Sequence, residues 1–135
     1  MIIYISDDIS LNDINEKFQE FFPYLRIDFF SGPHHWNESS PENKKMDGIL
    51  KVGDARKKHP HGPLEIKSWF RTGDLEQEFR EKFGLHVQVY RLHANDWVQT
   101  VGTDKLTLGE QNELGKRTAS EKHMADSPTE RENLF

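Results

Sequence analysis

Apolar residues along this chain follow two different periods, and the stretch from Thr72 to Arg91 contains both. One set recurs every four residues and therefore shares a helix face: Leu75, Phe79 and Phe83. Thr72 can cap the start of this helix, and Gly84 can take the left-handed conformation that ends it. After Gly84 the period becomes two, which predicts a strand with one apolar side. That side consists of Leu85, Val87 and Val89.

An earlier stretch has the same organisation. The β-prone run Ile2–Ile5 predicts a strand, and Ser10 or Asn12 can cap the helix that follows. The apolar stripe of that helix consists of Leu11, Ile14, Phe18, Phe21 and Phe22. Pro23 prevents its continuation, and residues 25–30 alternate as a second strand. The first third of the chain therefore predicts a β-α-β unit.

The two stretches coincide when one is shifted by 61 residues. Ile14 then falls on Leu75 and Phe18 falls on Phe79. An internal duplication would produce this match, and so would the general likeness of amphipathic helices. In either case the sequence predicts two β-α-β units, the second led by a strand within 64–70.

These units predict an α+β fold. Residues 92–96 favour a turn, and Trp97–Val101 returns as the second arm of a hairpin. The first-choice architecture is a ferredoxin-like sandwich, with two helices on one face of a mainly antiparallel four- or five-stranded sheet. A β-grasp arrangement around the second unit is the alternative. Helices on one face would leave the other face of the sheet to water or to a partner.

Two segments lie outside this pattern. Residues 31–63 are broken by glycine and proline and predict a long inserted loop, in which only Gly48–Gly53 favours a short strand. Thr107–Glu110 has the spacing of a capping box and predicts a last helix. From Lys116 onward the apolar pattern is thin, which predicts an irregular tail. The expected organisation is one domain over 1–110, loop included, and a C-terminal helix or irregular tail over 111–135.

One segment of the second unit is similar to a segment of known proteins. It has the form Thr-x-x-Leu-x-x-x-Phe-x-x-x-Phe-Gly-Leu-x-Val-x-Val-Tyr and begins at Thr72. Over about 72–101 it resembles uncharacterised bacterial proteins. The resemblance implies a shared core pattern and brings no activity with it.

Composition narrows the class of protein. The formal net charge of −5 argues against nucleic acid as a main partner, because nucleic-acid-binding domains are usually basic. The chain has no cysteine, no run of apolar residues long enough to span a membrane and no features of a secretory leader, so a cytoplasmic location is expected. Familiar catalytic motifs are absent, which favours a non-enzymatic function.

The first functional hypothesis is a protein-interaction module. The strand period places His86, Gln88 and Tyr90 on the face away from the core, and Trp97 follows on the next strand. Exposed aromatic residues commonly mark interfaces. These four residues are the predicted contact surface for a protein partner or a second copy of the chain, although simple packing of the aromatic rings would explain them too.

The second hypothesis is a metal-binding protein or metal-dependent enzyme. His34, His35, His59 and His61 lie at the two ends of the inserted loop, and imidazole suits zinc or nickel. Adjacent histidines rarely bind one ion together, so exposed histidines without a ligand role are the simpler interpretation, and no cofactor is required.

The third hypothesis is a nucleic-acid contact through the basic run Arg56–Lys58. A solvated loop of mixed charge would have the same composition.

Overall fold

Five strands and four α-helices form in the parts of the chain that the structure describes. The structure is a computed structural model, and it describes residues 1–32, 42–57, 59–103 and 105–126. The strands are β1 (Ile2–Ile5), β2 (Leu25–Phe30), β3 (Gly62–Glu65), β4 (His86–His93) and β5 (Asp96–Gln99). The helices are α1 (Leu11–Phe21), α2 (Val52–Ala55), α3 (Thr72–Phe83) and α4 (Leu108–Asp126).

The described strands pair antiparallel in two sheets. β1 pairs with β3 as a two-stranded ribbon, in which Ile3 lies opposite Leu64. β4 lies between β2 and β5, and Ile27 lies opposite Val89. The predicted α+β fold with antiparallel pairing is confirmed. The ferredoxin-like sandwich is not confirmed, because its four strands would share one sheet.

The offset of 61 residues predicts the positions of the strands and the helix of the second unit. Adding 61 to the bounds of β1, α1 and β2 gives 63–66, 72–82 and 86–91, and the observed β3, α3 and β4 span 62–65, 72–83 and 86–93. Each strand of the first unit pairs antiparallel with its counterpart in the second. The strand pairing therefore has the pattern of an approximate two-fold axis between the units.

The ends of the two central helices follow local chemistry. At the start of α1, Ser10 Oγ accepts a hydrogen bond from the Asp13 N–H at 3.0 Å, and Asp13 Oδ2 accepts one from the Ser10 N–H at 2.9 Å. The predicted cap of α3 was one residue too late, since Thr72 is already helical and Arg71 donates its N–H to Asp74 Oδ2 at 2.9 Å. Gly84 ends α3 with φ +64°, as predicted.

One hydrophobic core joins both sheets and the helices. The ribbon contributes Ile3, Ile5 and Leu64, and Ile66 follows directly after β3; all four are at most 4% exposed. Phe18 of α1 and Phe79 of α3 are fully buried, and Phe79 meets Phe29 edge-on with ring centroids 5.8 Å apart. The predicted helix stripes therefore face one common interior, except that Phe21, the last residue of α1, is 52% exposed.

The segment Gly48–Gly53 does not form the predicted strand. The Leu11 N–H donates to the Leu50 carbonyl at 2.9 Å, and the Val52 N–H donates to the Ile9 carbonyl at 2.8 Å. These bonds attach the segment to the start of α1, and its end turns into α2.

The last helix is longer than its apolar pattern predicts. Its capping box at Thr107 and Glu110 is present, but the helix continues past Lys116 to Asp126. Hydrogen bonds between α4 and distant segments explain its greater length. Asn112 Oδ1 accepts from the Tyr24 N–H at 2.8 Å, and Thr118 donates to the Leu92 carbonyl at 3.0 Å.

Candidate functional site

The four predicted partner-binding residues lie on one face of the β2-β4-β5 sheet but differ in exposure. Trp97 lies opposite Leu92 in the strand register, so it shares the face of His86, Gln88 and Tyr90. Gln88 and Tyr90 are only 2% and 6% exposed, whereas His86 and Trp97 are partly exposed. Only the last two can contribute side-chain area to a partner without rearrangement.

Charged groups cover the same face. Asp28 is bound by Arg26 at 2.6 Å and by Lys45 at 3.0 Å, and the Arg26 guanidinium lies 5.7 Å from the centroid of the Trp97 ring. Burial, followed by the negative charge of Asp28, raises the pKa of Tyr90 to about 12. The face is a packed polar layer, which the alternation of the strand alone could not reveal.

A group of large, exposed apolar side chains lies away from the β2-β4-β5 sheet, on the outside of the β1–β3 ribbon. Ile2, Tyr4 and Trp69 are 63%, 62% and 66% exposed. Ile2 lies opposite Glu65 and Tyr4 opposite Pro63 in the ribbon register. Lys67 pairs with Glu65 at 2.5 Å, and its ammonium lies 5.9 Å from the centroid of the Trp69 ring. We call this surface the outer ribbon face; its members are Ile2, Tyr4, Pro63, Glu65, Lys67 and Trp69.

The sequence concealed this surface for two reasons. The run Ile2–Ile5 is apolar at every position, which indicates an interior strand, yet only Ile3 and Ile5 face the core. Trp69 also falls within 64–70, where the leading strand of the second unit is predicted, whereas β3 ends at Glu65 and Trp69 lies in a turn.

The two edges of the ribbon differ in their backbone groups. The Ile66 N–H donates to the Met1 carbonyl at 2.9 Å, and hydrogen-bonded pairs alternate along an antiparallel ladder. Ile3 and Ile5 are therefore bonded to β3, while the N–H and C=O groups of Ile2 and Tyr4 point to the opposite edge of β1. On the outer edge of β3 the corresponding residues are Pro63, which has no N–H, and Glu65. Proline and charge protect an edge, so β1 has the more receptive one.

The structure describes two of the four predicted metal-ligating histidines. His34 and His35 lie outside the described residues. His59 Nδ1 lies 3.1 Å from the Lys57 carbonyl oxygen, and His61 Nε2 lies 3.1 Å from Asp7 Oδ2. In the described part of the chain, His, Asp and Glu side chains form no group of three or more able to hold a metal ion.

Arg56, which begins the predicted nucleic-acid contact, has an internal role. Its side chain is only 1% exposed and donates to Asp7 Oδ1 at 2.8 Å and 3.0 Å and to the Phe83 carbonyl at 2.8 Å. Hydrogen bonds from His61 and then from Arg56 hold the pKa of Asp7 below its ordinary value. Arg56 thus ties the end of β1 to the end of α3. Lys57 is exposed, and Lys58 lies outside the described residues.

No helix in the described ranges is both long and apolar enough to cross a membrane. The chain matches no protein-family profile, no curated protein and no solved structure. Its function is therefore inferred from the geometry of these surfaces.

Proposed function

We propose that this protein is a non-enzymatic interaction module that associates through β1, with a second copy of the chain as its partner. One observation carries the proposal. Strand β1 has an edge without a described strand partner, and the same strand exposes two apolar side chains, Ile2 and Tyr4. Unpaired strand edges bind further strands through main-chain hydrogen bonds, and the alternating side chains supply specificity.

A two-fold axis through Ile3 would pair the outward backbone groups of β1 in both copies of the chain. Antiparallel pairing of two β1 strands places Ile2 of one copy opposite Tyr4 of the other, and the reverse. The outward N–H and C=O groups of both residues would then be bonded, extending the ribbon to four strands. The outer ribbon faces would join side by side, with Tyr4 and Trp69 as aromatic anchors.

The test is sedimentation velocity over a range of protein concentrations, applied to Ile2→Lys and Tyr4→Pro. The wild-type chain should dimerise as concentration rises. Ile2→Lys places a charge in the joined apolar face, and Tyr4→Pro removes an outward N–H, so both variants should remain monomeric. Ile49→Lys is the matched control, because Ile49 is 75% exposed and lies outside the ribbon.

Two results would refute the proposal. One is a wild-type chain that stays monomeric at every concentration. The other is a dimer that Ile2→Lys and Tyr4→Pro leave intact or that Ile49→Lys weakens equally.

A further inference from the structure

A cleft of about 550 Å³ lies at the end of the fold where β2 stops and α3 passes into β4. Its lining comes from three segments: the end of β2 with Phe30 and Ser31, the segment after α2 with Lys57 and His59, and the α3–β4 junction with Arg80 and His86. The volume falls within the range of small-molecule sites. The outer ribbon face shares none of these residues.

Positive charge gathers around this cleft although the whole chain carries −5. Arg80 and Lys57 are exposed lining residues, and neither forms an ion pair with an acidic side chain that the structure describes. The Lys44 ammonium lies 3.8 Å from the point where a Cβ on Gly32, another lining residue, would stand. Asp54 is the acidic member of the lining. With respect to the described acidic side chains, Arg80 and Lys57 are therefore available to an incoming anion.

Neutral residues also line the cleft. Ser31 lines the cleft with an exposed hydroxyl, which can donate to an oxyanion. Phe30 borders the cleft but is 2% exposed, so its side chain offers little contact area. His59 Nδ1 lies 3.1 Å from the Lys57 carbonyl oxygen, which can only accept, so a hydrogen bond here requires the tautomer with the proton on Nδ1.

Gly84 allows the His59 ring to approach the end of α3. A Cβ at Gly84 would lie 2.4 Å from His59 Cε1, so a side chain there would displace the ring. The wall that His59 forms is therefore fixed by contact with the backbone of the α3–β4 junction.

Among the described residues, this end of the fold is less completely filled than the corresponding end of the other unit. With the offset of 61, Phe30 and Ser31 correspond to Arg91 and Leu92, and Leu85 corresponds to Tyr24. At that opposite end α4 occupies the equivalent position, with its bonds to Tyr24 and Leu92. The described residues leave the cationic counterpart open, so it has room for a ligand.

We infer that this cleft binds a small molecule carrying a phosphate monoester. A dianionic phosphate matches a cleft lined by exposed cations and a hydroxyl donor better than a single carboxylate does. The cleft volume of about 550 Å³ leaves room for the organic part of the ligand. This inference is independent of the proposed self-association.

Isothermal titration calorimetry of the full chain with adenosine monophosphate and with inorganic phosphate tests the inference. Both probes should bind, and adenosine, which lacks the phosphate, should not. Arg80→Gln and Lys57→Gln should each weaken binding about tenfold, since a charge-assisted hydrogen bond is lost. Both side chains are exposed, so folding should be unaffected. Lys17→Gln is the matched control, because Lys17 is an exposed cation on α1 paired with Glu20 at 3.7 Å.

Several results would overturn the inference. Absence of binding by both phosphate probes is one, and adenosine binding as tightly as its monophosphate is another. Equal weakening by Lys17→Gln would assign the effect to general charge. Binding of a single-stranded oligonucleotide without binding of either small probe would identify a nucleic-acid surface instead.

Discussion

Gly84→Ala should destabilise the fold through two separable effects. With φ at +64°, an alanine at this position costs about 1 kcal/mol of backbone strain. Its Cβ would also lie 2.4 Å from His59 Cε1 and 2.5 Å from Nδ1, where contact requires about 3.5 Å. Overpacking of this kind costs roughly 1–3 kcal/mol. We therefore expect the free energy of unfolding to fall by about 2–4 kcal/mol in total.

Urea denaturation of a double-mutant cycle separates these effects. In a His59→Ala background the ring atoms are absent, so Gly84→Ala should cost only the backbone part, about 1 kcal/mol. Gly73→Ala is the control, because nothing lies within 4 Å of its Cβ position and an alanine in α3 should be neutral or mildly stabilising. If Gly84→Ala costs the same in both backgrounds, within about 0.5 kcal/mol, the close contact between Gly84 and His59 does not exist in solution.

Two further predictions concern other contacts. Gly115→Ala should destabilise the protein, because its Cβ would lie 2.9 Å from Tyr24 Cβ. Gly109→Ala on the same helix should stabilise the protein by about 0.5–1 kcal/mol, since the nearest atom to its Cβ position is 3.9 Å away. Thermal denaturation of both variants checks this, and equal shifts in melting temperature would argue against the docking of α4 on Tyr24. The lowered pKa of Asp7 means that its contribution to stability is complete above the ordinary value of 3.8 and is lost as pH falls through the lower folded-state value. The difference in unfolding free energy between the wild type and Asp7→Asn should therefore shrink when urea titrations are repeated below pH 3.8, and a difference independent of pH would show that Asp7 is not held by His61 and Arg56.

Local patterns predicted the elements well because local chemistry decides them. The four-residue spacing of Leu75, Phe79 and Phe83 places three side chains on one face, and all three are buried in the core. Gly84 and the Ser10–Asp13 capping box act within a few residues of where they stand. The predicted hairpin of β4 and β5 is also present, and Ala94 in its turn has the left-handed conformation, with φ +56°.

Contacts between distant segments were not predictable in the same way. Whether Tyr4 faces the core or solvent depends on which side of the ribbon the helices cover, and the strand sequence does not encode that side. Arg56 sits in a basic run, but its ion pair with Asp7 spans 49 positions and removes it from the surface. The helical segment after Lys116 forms because Gly115 packs against Tyr24 and Thr118 donates a hydrogen bond to the Leu92 carbonyl. The apolar pattern of α4 does not predict these contacts.

The pairing of each strand with its counterpart has a consequence for how the chain folds. Ile3 meets Leu64 and Ile27 meets Val89, so both ladders that join the two units close loops of about 60 residues. Among the strands that the structure describes, only β4 and β5 form a local ladder. In a chain emerging from the ribosome, β1, α1 and β2 would precede all of the strand partners that the structure describes for them. Long-range closure of this kind slows folding, and the first unit should gain persistent structure only when the second has been synthesised.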